Sequence, residues 1–351
     1  MTRMLSRILA GLLLPFLFAA PGFGEEPTIH IRLSTQIPAG SEQHQNMVFF
    51  KERVEADSGG SIAVDIFDSG KLFDSDAIAG ALSAGKVEMG HVNLSRYADT
   101  IALADAFSLP FLFSDETVER ASRKPGSEVR KLVDQAILDQ SGTRVLWWIP
   151  EGSFVLLTKQ VPITTPDALQ GKTVRSSGPT TAATLEACGG KPVEVPATQQ
   201  AEAYSSGRVD VGMTSVVSLM GRKLYQSMKT ITRTNQAILD GAVAINEAYL
   251  QSLSGKQRKI ILDAAAATDQ RSAERFVTFE EKAYRQLVEQ EGVKVLTLST
   301  ADLMLWRICS SDVLTGFITR AGVSGQRLMA AYARLLQDPC CNTSRGYRPG
   351  S

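Results

Sequence analysis

At 351 residues and 44% hydrophobic, the chain is long enough to bury the cores of two α/β domains. Its 37 basic residues balance 37 acidic ones, and no long basic run offers a footing for nucleic acid or another polyanion. Three histidines stand apart at 30, 44 and 91 and no Cys-x-x-Cys occurs, so no metal, catalytic thiol or cofactor is expected.

The chain opens with Arg3 and Arg7, an apolar run from Ile8 to Ala20, and small residues before Glu25 and Glu26. That is the pattern of a secretory signal peptide over residues 1–24, cleaved after Gly24. The run is too short for a transmembrane helix, and no later segment approaches ~20 apolar residues. No cysteine near the cleavage point suggests a lipid anchor, so a soluble protein outside the cytoplasm is expected. Loss of Arg3 and Arg7 leaves 35 basic residues against 37 acidic, a mature net charge of −2. Four cysteines in an oxidising compartment invite pairing, with connectivity left open. One of Cys340 and Cys341 is expected to tie the tail to Cys309, while Cys188, beside Gly189 and Gly190, is expected to pack as a small apolar residue.

The first predicted strand runs from Thr28 to Ser34 and breaks at Gln36-Ile-Pro-Ala-Gly40. A helix from about Glu42 to Asp57 places Met47, Phe50 and Val54 at helical spacing, and Ser58-Gly-Gly60 stops it. Strand Ile62–Phe67, helix Asp74–Ala84 and strand Val87–Val92 complete a β-α-β-α-β opening, which argues for a largely parallel sheet under covering helices. The turn Asn93-Leu-Ser-Arg-Tyr97 puts polar side chains at a strand's carboxyl end, where open α/β sheets hold ligands. Phe107–Phe113, broken by Pro110, reads as a buried crossover, and Glu116–Gln140 as a helix interrupted at Pro125-Gly126.

Val145–Ile149 and Phe154–Thr158 read as two strands separated by a break at Pro150-Glu-Gly152, which marks the first domain boundary. Trp147 and Trp148 should alternate, one toward the core and one toward a cleft where it could stack on a ligand. Next comes Gly171-Lys-Thr-Val-Arg-Ser-Ser-Gly-Pro179: a short strand, a turn, and a helix over Ala182–Ala187. Arg175 sits at that strand's end, where its guanidinium could take a carboxylate bidentately; the bland alternative is a solvated loop arginine. Strand Val193–Val195, helix Thr198–Ser206 and strand Gly207–Met213, ending at Thr214 and Ser215, repeat the first half's logic. A helix over Ser218–Tyr225, extended segments Ile231–Asn235 and Ala242–Asn246, one long helix or two joined over Ser254–Gln290, strand Val293–Leu298 and helices Ala301–Ala321 and Gly325–Leu336 complete the chain. A straight piece of ~37 residues spans roughly 55 Å, longer than one compact lobe.

Ser58-Gly-Gly60, Leu109-Pro-Phe-Leu-Phe113, Asp167-Ala-Leu-Gln-Gly-Lys-Thr-Val-Arg175, Gly207-Arg-Val-Asp210 and Leu253-Ser-Gly-Lys-Gln257, in that order, resemble the extracytoplasmic solute-binding subunit of tripartite ATP-independent periplasmic (TRAP) transporters over nearly all the mature chain. The resemblance implies a two-lobed periplasmic binding protein, class II-like, with a hinge and a long helix spanning both lobes. Lobe I would comprise 25–152 plus about 241–280, lobe II 153–240 plus about 281–337, with 338–351 a flexible tail. It implies that Arg175 holds an organic acid's carboxylate. It brings Asn93, Arg96, Thr214, Ser215 and Gln36 to the cleft walls, together with Phe154, while Ser153 and Phe154 replace the second arginine of the sialic-acid-binding branch. The expected partners are a small organic acid and integral-membrane TRAP permease subunits, with no nucleic acid, and the protein is expected to be a periplasmic monomer.

One anchoring arginine in an aromatic setting slightly favours a monocarboxylate over a dicarboxylate, which wants a second cation; Arg96 is the candidate for that cation. Two other readings stand beside transport. A ligand-sensing partner of a membrane receptor would look the same in sequence. A secreted enzyme on this scaffold would need a nucleophile and base, yet no Gly-x-Ser-x-Gly elbow occurs and only His44 and His91 lie near predicted strand ends.

Overall fold

The computed structural model describes residues 28–339 and 341; the signal peptide expected over 1–24 and most of the tail expected over 338–351 lie outside them. Strand β1 (Ile29–Ser34) leads to helix α1 (Glu42–Asp57), which starts where Ser41 Oγ accepts the His44 N–H and turns Met47, Phe50 and Val54 inward. Strand β2 (Ile62–Phe67), helix α2 (Ile78–Ser83) and strand β3 (Met89–Asn93) follow. Strand β1 lies parallel to both β2 and β3, as a β-α-β opening requires.

Helices α3 (Glu116–Arg123) and α4 (Glu128–Ser141) flank the expected interruption and lead into β4 (Thr143–Thr158). Strand β4 runs through Pro150-Glu-Gly152, where the sequence suggests a break. The irregularity is absorbed by register shifts at Val145/Trp147, Pro150/Gly152 and Ser153/Val155. Bulges of this kind bend a strand without ending its pairing. Gly152 adopts φ +92°, a conformation that favours glycine, and a Cβ there would lie 2.8 Å from Glu280 Oε1.

Strand β5 (Thr173–Ser176), helix α5 (Pro179–Ala187) and strand β6 (Lys191–Glu194) form a small unit of their own, with β5 and β6 parallel. Helix α6 (Gln200–Ser206), strand β7 (Gly212–Ser215) and helix α7 (Val216–Gly221) precede β8 (Thr230–Asn246), which joins the two extended segments expected over 231–246 into one strand. Helices α8 (Glu247–Ser252) and α9 (Gly255–Glu289), strand β9 (Lys294–Thr297), and helices α10 (Thr300–Cys309) and α11 (Val313–Gln337) finish the chain, with a kink at Gly322 inside α11.

Among the described residues the main sheet has the order β2-β1-β3-β8-β4-β7, with β9 beside β8. It is mixed rather than largely parallel. Strand β8 is antiparallel to β3 and to β4, and β4 is antiparallel to β7, because β4 and β8 run the length of the molecule in opposite directions. Apolar clusters cover both faces at each end. Phe50, Trp147 and Ile261 belong to one, Phe113, Trp148 and Phe317 to another. Beyond the bulges, Tyr204, Val216 and Leu287 form a third, and Phe154, Leu169 and Trp306 a fourth.

The 35 residues of α9 start from a reciprocal Ser254–Gln257 capping box. The helix packs Ile261 and Ala264 on the first cluster and Ala283 and Leu287 on the third, so it spans both ends. Asp269 fixes it to the sheet: one carboxylate oxygen accepts the Trp148 backbone N–H at 3.0 Å and the other pairs with Arg130 Nη1 at 2.7 Å. Arg123 pairs with Asp240 of β8 at 2.7 Å in the same buried region.

The disulfide differs from expectation. Cys188 pairs with Cys309, because the ends of α5 and α10 both pack on the cluster around Leu169 and Trp306, bringing the two Cα atoms to 5.1 Å. Cys341 is buried elsewhere, its Sγ 4.0 Å from Thr117 O, and Cys340 lies outside the described residues. The bond closes a sequence separation of 121 residues, which in the chain-entropy picture is worth on the order of 3–5 kcal/mol. The Cys188→Ser, Cys309→Ser double variant should therefore melt several degrees below the parent in calorimetry, and equal melting points would show that the bridge contributes nothing to the fold.

Candidate functional site

Arg175 is positioned by a strand of four residues whose Val174 is fully buried and whose end turns at Ser176–Gly178 into α5. The side chain is 1% exposed. Its Nε donates to Val195 O at 3.1 Å and its Nη1 to Met213 O at 2.6 Å. Among the described residues no carboxylate comes within ion-pairing distance of it. Burial pulls its pKa below the ordinary arginine value, and the charge of Arg96 acts in the same direction, against Tyr204, Glu151 and Glu194. Two carbonyl dipoles hold a whole charge here. That arrangement suits an anion brought from outside.

The guanidinium faces a narrow recess that is also lined by Gln36, Asn93 and Thr214, with free space of about 30 Å³. That is about one water's share of liquid volume, so the two walls stand close together around Arg175. Gln36 stands in the β1–α1 loop, Asn93 at the end of β3 and Thr214 at the end of β7, so three strand ends converge. Gln36 Nε2 donates to Asn93 Oδ1 at 3.3 Å. Gln36 Oε1 and Thr214 Oγ1 are buried without a hydrogen-bond partner among the described residues.

The other four expected residues lie outside this cleft. Arg96 pairs with Asp76 at 3.3 Å and with Glu194, in a separate recess shared with Ser95 and Gly178. Both its carboxylate partners are supplied by the protein, so it is not the spare cation the sequence suggested. Ser215 is spent as the α7 N-cap, its Oγ accepting the Ser218 N–H at 3.2 Å. Phe154 is fully buried in the fourth cluster. Trp148 is 2% exposed, and its Nε1 donates to Asp134 at 2.8 Å. Both faces of β4 are covered there, so Trp147 and Trp148 alternate between two cores and neither reaches the cleft.

Three cleft residues escaped the sequence reading of the site. Arg222, just past α7, donates from Nη2 to Gln36 O at 2.9 Å, and burial pulls its pKa down to about 10. Glu151 sits at the β4 bulge, 7% exposed, and burial pushes its carboxyl up to about 7 against the pull of Arg222 and Arg175. His91 of β3 is 1% exposed, and burial, aided by Arg222, pulls its pKa down to about 3, so the ring is neutral. Its Nε2 stands 3.7 Å from Glu151 Oε1, too far for a hydrogen bond. Both ring nitrogens are unpartnered among the described residues. Gly241 permits this packing, since a Cβ there would fall 2.3 Å from His91 Nε2. Glu151 and Arg222 carry no local signal beyond the break at Pro150–Gly152, while His91 shows in the sequence only as a histidine near a strand end, with nothing to tie it to the carboxylate site.

Among the described residues no group of three or more His, Cys, Asp or Glu could hold a metal ion, and no helix is long and apolar enough to cross a membrane. The family model for bacterial extracellular solute-binding protein, family 7, matches residues 33–319. The C4-dicarboxylate-binding periplasmic protein DctP of Shewanella loihica is 23% identical over 297 residues, 83% of this chain and 86% of that protein. Among solved structures, DctP7 of Bordetella pertussis, an extracytoplasmic solute receptor binding pyroglutamic acid, superposes with a TM-score of 0.81 at 21% identity, covering 87% of this chain and 100% of the other. The periplasmic ectoine-binding protein from the TeaABC TRAP-transporter of Halomonas elongata gives 0.80 at 22%, covering 88% and 99%. The likeness is one of fold, and that fold is the two-lobed α/β architecture expected from the sequence.

The cleft should show its chemistry in the pH dependence of stability. Glu151 has a folded value of about 7 against an ordinary 4.5, so its contribution is fully present below pH 4.5 and is lost as pH rises through 7. His91, at about 3 against 6.5, runs the other way, and its contribution is lost as pH falls from 6.5 toward 3. Glu151→Gln leaves the His91 trend in place and removes the other. The stability difference between variant and parent should move in the variant's favour from pH 5 to pH 8, by up to ~3 kcal/mol. A difference that is flat across that range in parallel denaturant titrations contradicts the buried-carboxyl description.

Proposed function

The chain belongs to bacterial extracellular solute-binding protein family 7, and from that membership we propose that it captures a small organic acid anion at Arg175 and delivers it to a TRAP-type membrane permease. The family is one of solute-binding proteins, and the reading of this chain is capture and delivery rather than catalysis. The observation that carries the ligand class is Arg175 itself, a guanidinium 1% exposed and held by two carbonyls with no protein carboxylate. Inside a cleft that excludes water, an arginine–carboxylate pair is worth far more than on a surface. Gln36, Asn93 and Thr214 join it as ligand contacts, and the relatives are named for binding C4-dicarboxylates, pyroglutamic acid and ectoine.

The mechanism follows from the crossing strands. Lobe I takes residues 25–152 plus about 241–280 and lobe II takes 153–240 plus about 281–312, while α11, expected in lobe II, packs Phe317 and Leu328 on the Trp148 cluster and so belongs with lobe I. The hinge lies at Pro150–Ser153 and near Asp240, where β4 shifts register against β8. Closing brings Gln36 and Asn93 of one lobe against Arg175 and Thr214 of the other, so an acid that touches both walls favours the closed form. Arg96 and Glu194, paired across the same divide, add to that closed form. The protein reaches the periplasm on the signal peptide of residues 1–24 and acts there as a monomer.

Arg175→Ala and Arg175→Lys test the reading, the second keeping the charge while losing the fork. An acid that raises the melting temperature of the parent, found by screening protein purified without refolding, should give no shift with either variant. Its affinity should fall by ~100-fold or more, as expected when a buried charge partner is removed. An unchanged melting shift in correctly folded variants sinks the assignment.

A further inference from the structure

Resting on Arg175 as the carboxylate anchor, we propose that the acid taken by this cleft is a monocarboxylate carrying a hydroxyl or N–H donor, and that Glu151 with His91 forms the subsite accepting that donor. The wall opposite a carboxylate anchor would ordinarily be apolar or lined with further donors. Here the donors of Arg222 and Thr214 are accompanied by unpartnered acceptors. Gln36 Oε1 and both ring nitrogens of neutral His91, one a donor and one an acceptor, are buried without partners among the described residues, and the Glu151 carboxyl stands 3.7 Å from His91 Nε2, beyond hydrogen-bonding distance. Each is more than nine-tenths buried and lines the same cleft. Buried polar groups without partners are unfavourable unless something satisfies them, and what satisfies an acceptor is a donor.

Charge points the same way. Arg175 and Arg222 bring two positive charges and ionised Glu151 removes one, leaving a single positive charge for one carboxylate to balance. A dicarboxylate offers oxygen acceptors only, and its second carboxylate beside Glu151 would be tolerated only with Glu151 protonated. The charged and titratable groups around Glu151 are His91 on β3, Arg175 on β5, Arg222 after α7 and Asp240 on β8, with Glu280 of α9 packed at neighbouring Gly152. Because burial places the Glu151 carboxyl near 7, a bound donor favours its ionised form and releases a proton near neutrality. A bound dicarboxylate favours the protonated form and takes a proton up.

Isothermal titration with matched acids reads both effects: pyroglutamate against cyclopentanecarboxylate, lactate against propionate, mandelate against phenylacetate, and succinate alone, each in two buffers of different ionisation enthalpy at pH 7. The donor acid of at least one pair should bind ~10-fold or more tighter than its donorless analogue, since a site built to bond a donor rejects the analogue lacking it, and should release protons. Glu151→Met, which removes both acceptor oxygens at similar length, should bring that ratio close to one. Glu151→Gln, which keeps one acceptor, should abolish the proton release. Equal binding of both members of every pair, or tightest binding by succinate with proton uptake, overturns the donor subsite while leaving the carboxylate anchor standing. Binding of none of the acids, with Arg175→Ala indistinguishable from the parent, removes the anchor itself and the subsite with it.

Discussion

A guanidinium that is 1% exposed and cannot lose its proton at physiological pH must be compensated by its surroundings. In this protein the compensation comes from the carbonyls of Val195 and Met213, which hold Arg175 in place without neutralising it. The rest of the cleft is arranged around that residual charge. The ends of β3, β5 and β7 converge on it, and the β1–α1 loop supplies Gln36 from the opposite side. A second guanidinium, Arg222, is matched against a buried carboxyl, Glu151, so the site's excess charge stays small. Had a protein carboxylate reached Arg175, the residue would be a structural ion pair. Arg96, paired with Asp76 and Glu194, shows what that alternative looks like a short way along the same wall.

The converging elements are held by β4 and β8, which pass through both ends of the molecule. Three register shifts in β4 and the positive φ of Gly152 interrupt the regular pairing of these long strands near the centre. The side-chain contacts there are polar and buried: Asp269 of α9 holds the Trp148 backbone and Arg130, while Asp240 of β8 holds Arg123. Breaking one side of such a pair strands a buried charge at about 3–5 kcal/mol. These contacts lie among the bulges, at Trp148 and at Asp240 opposite Pro150, and α9 continues past them to pack Ala283 and Leu287 on the third cluster.

How much of this was legible in the sequence follows from how local each signal is. Arg175, Gln36, Asn93 and Thr214 each close a strand or its following loop, and strand ends can be read from periodicity and turn residues; all four line the cleft. Trp148 and Phe154 misled because alternation predicts which face a residue takes but not whether helices cover that face, and here both faces are covered. Glu151 and His91 meet only after β3, β4 and β8 have paired in register, and Arg222 joins them from the end of α7, so their place in the site has no local signal. The Cys188–Cys309 bridge depends in the same way on two helix ends, 121 residues apart, meeting on one apolar cluster. The long α9 was readable because a 35-residue amphipathic run between a capping box and a polar end has few other fates.

The most direct test of Arg175 as the carboxylate anchor is a crystal structure of the protein with the acid it retains through purification, identified by native mass spectrometry of the same sample. A carboxylate is expected at hydrogen-bonding distance, about 2.7–2.9 Å, from the Arg175 guanidinium, with Gln36 and Asn93 closing over the ligand. A ligand without a carboxylate, or one whose carboxylate lies elsewhere while Arg175 keeps only its two carbonyls, would contradict it.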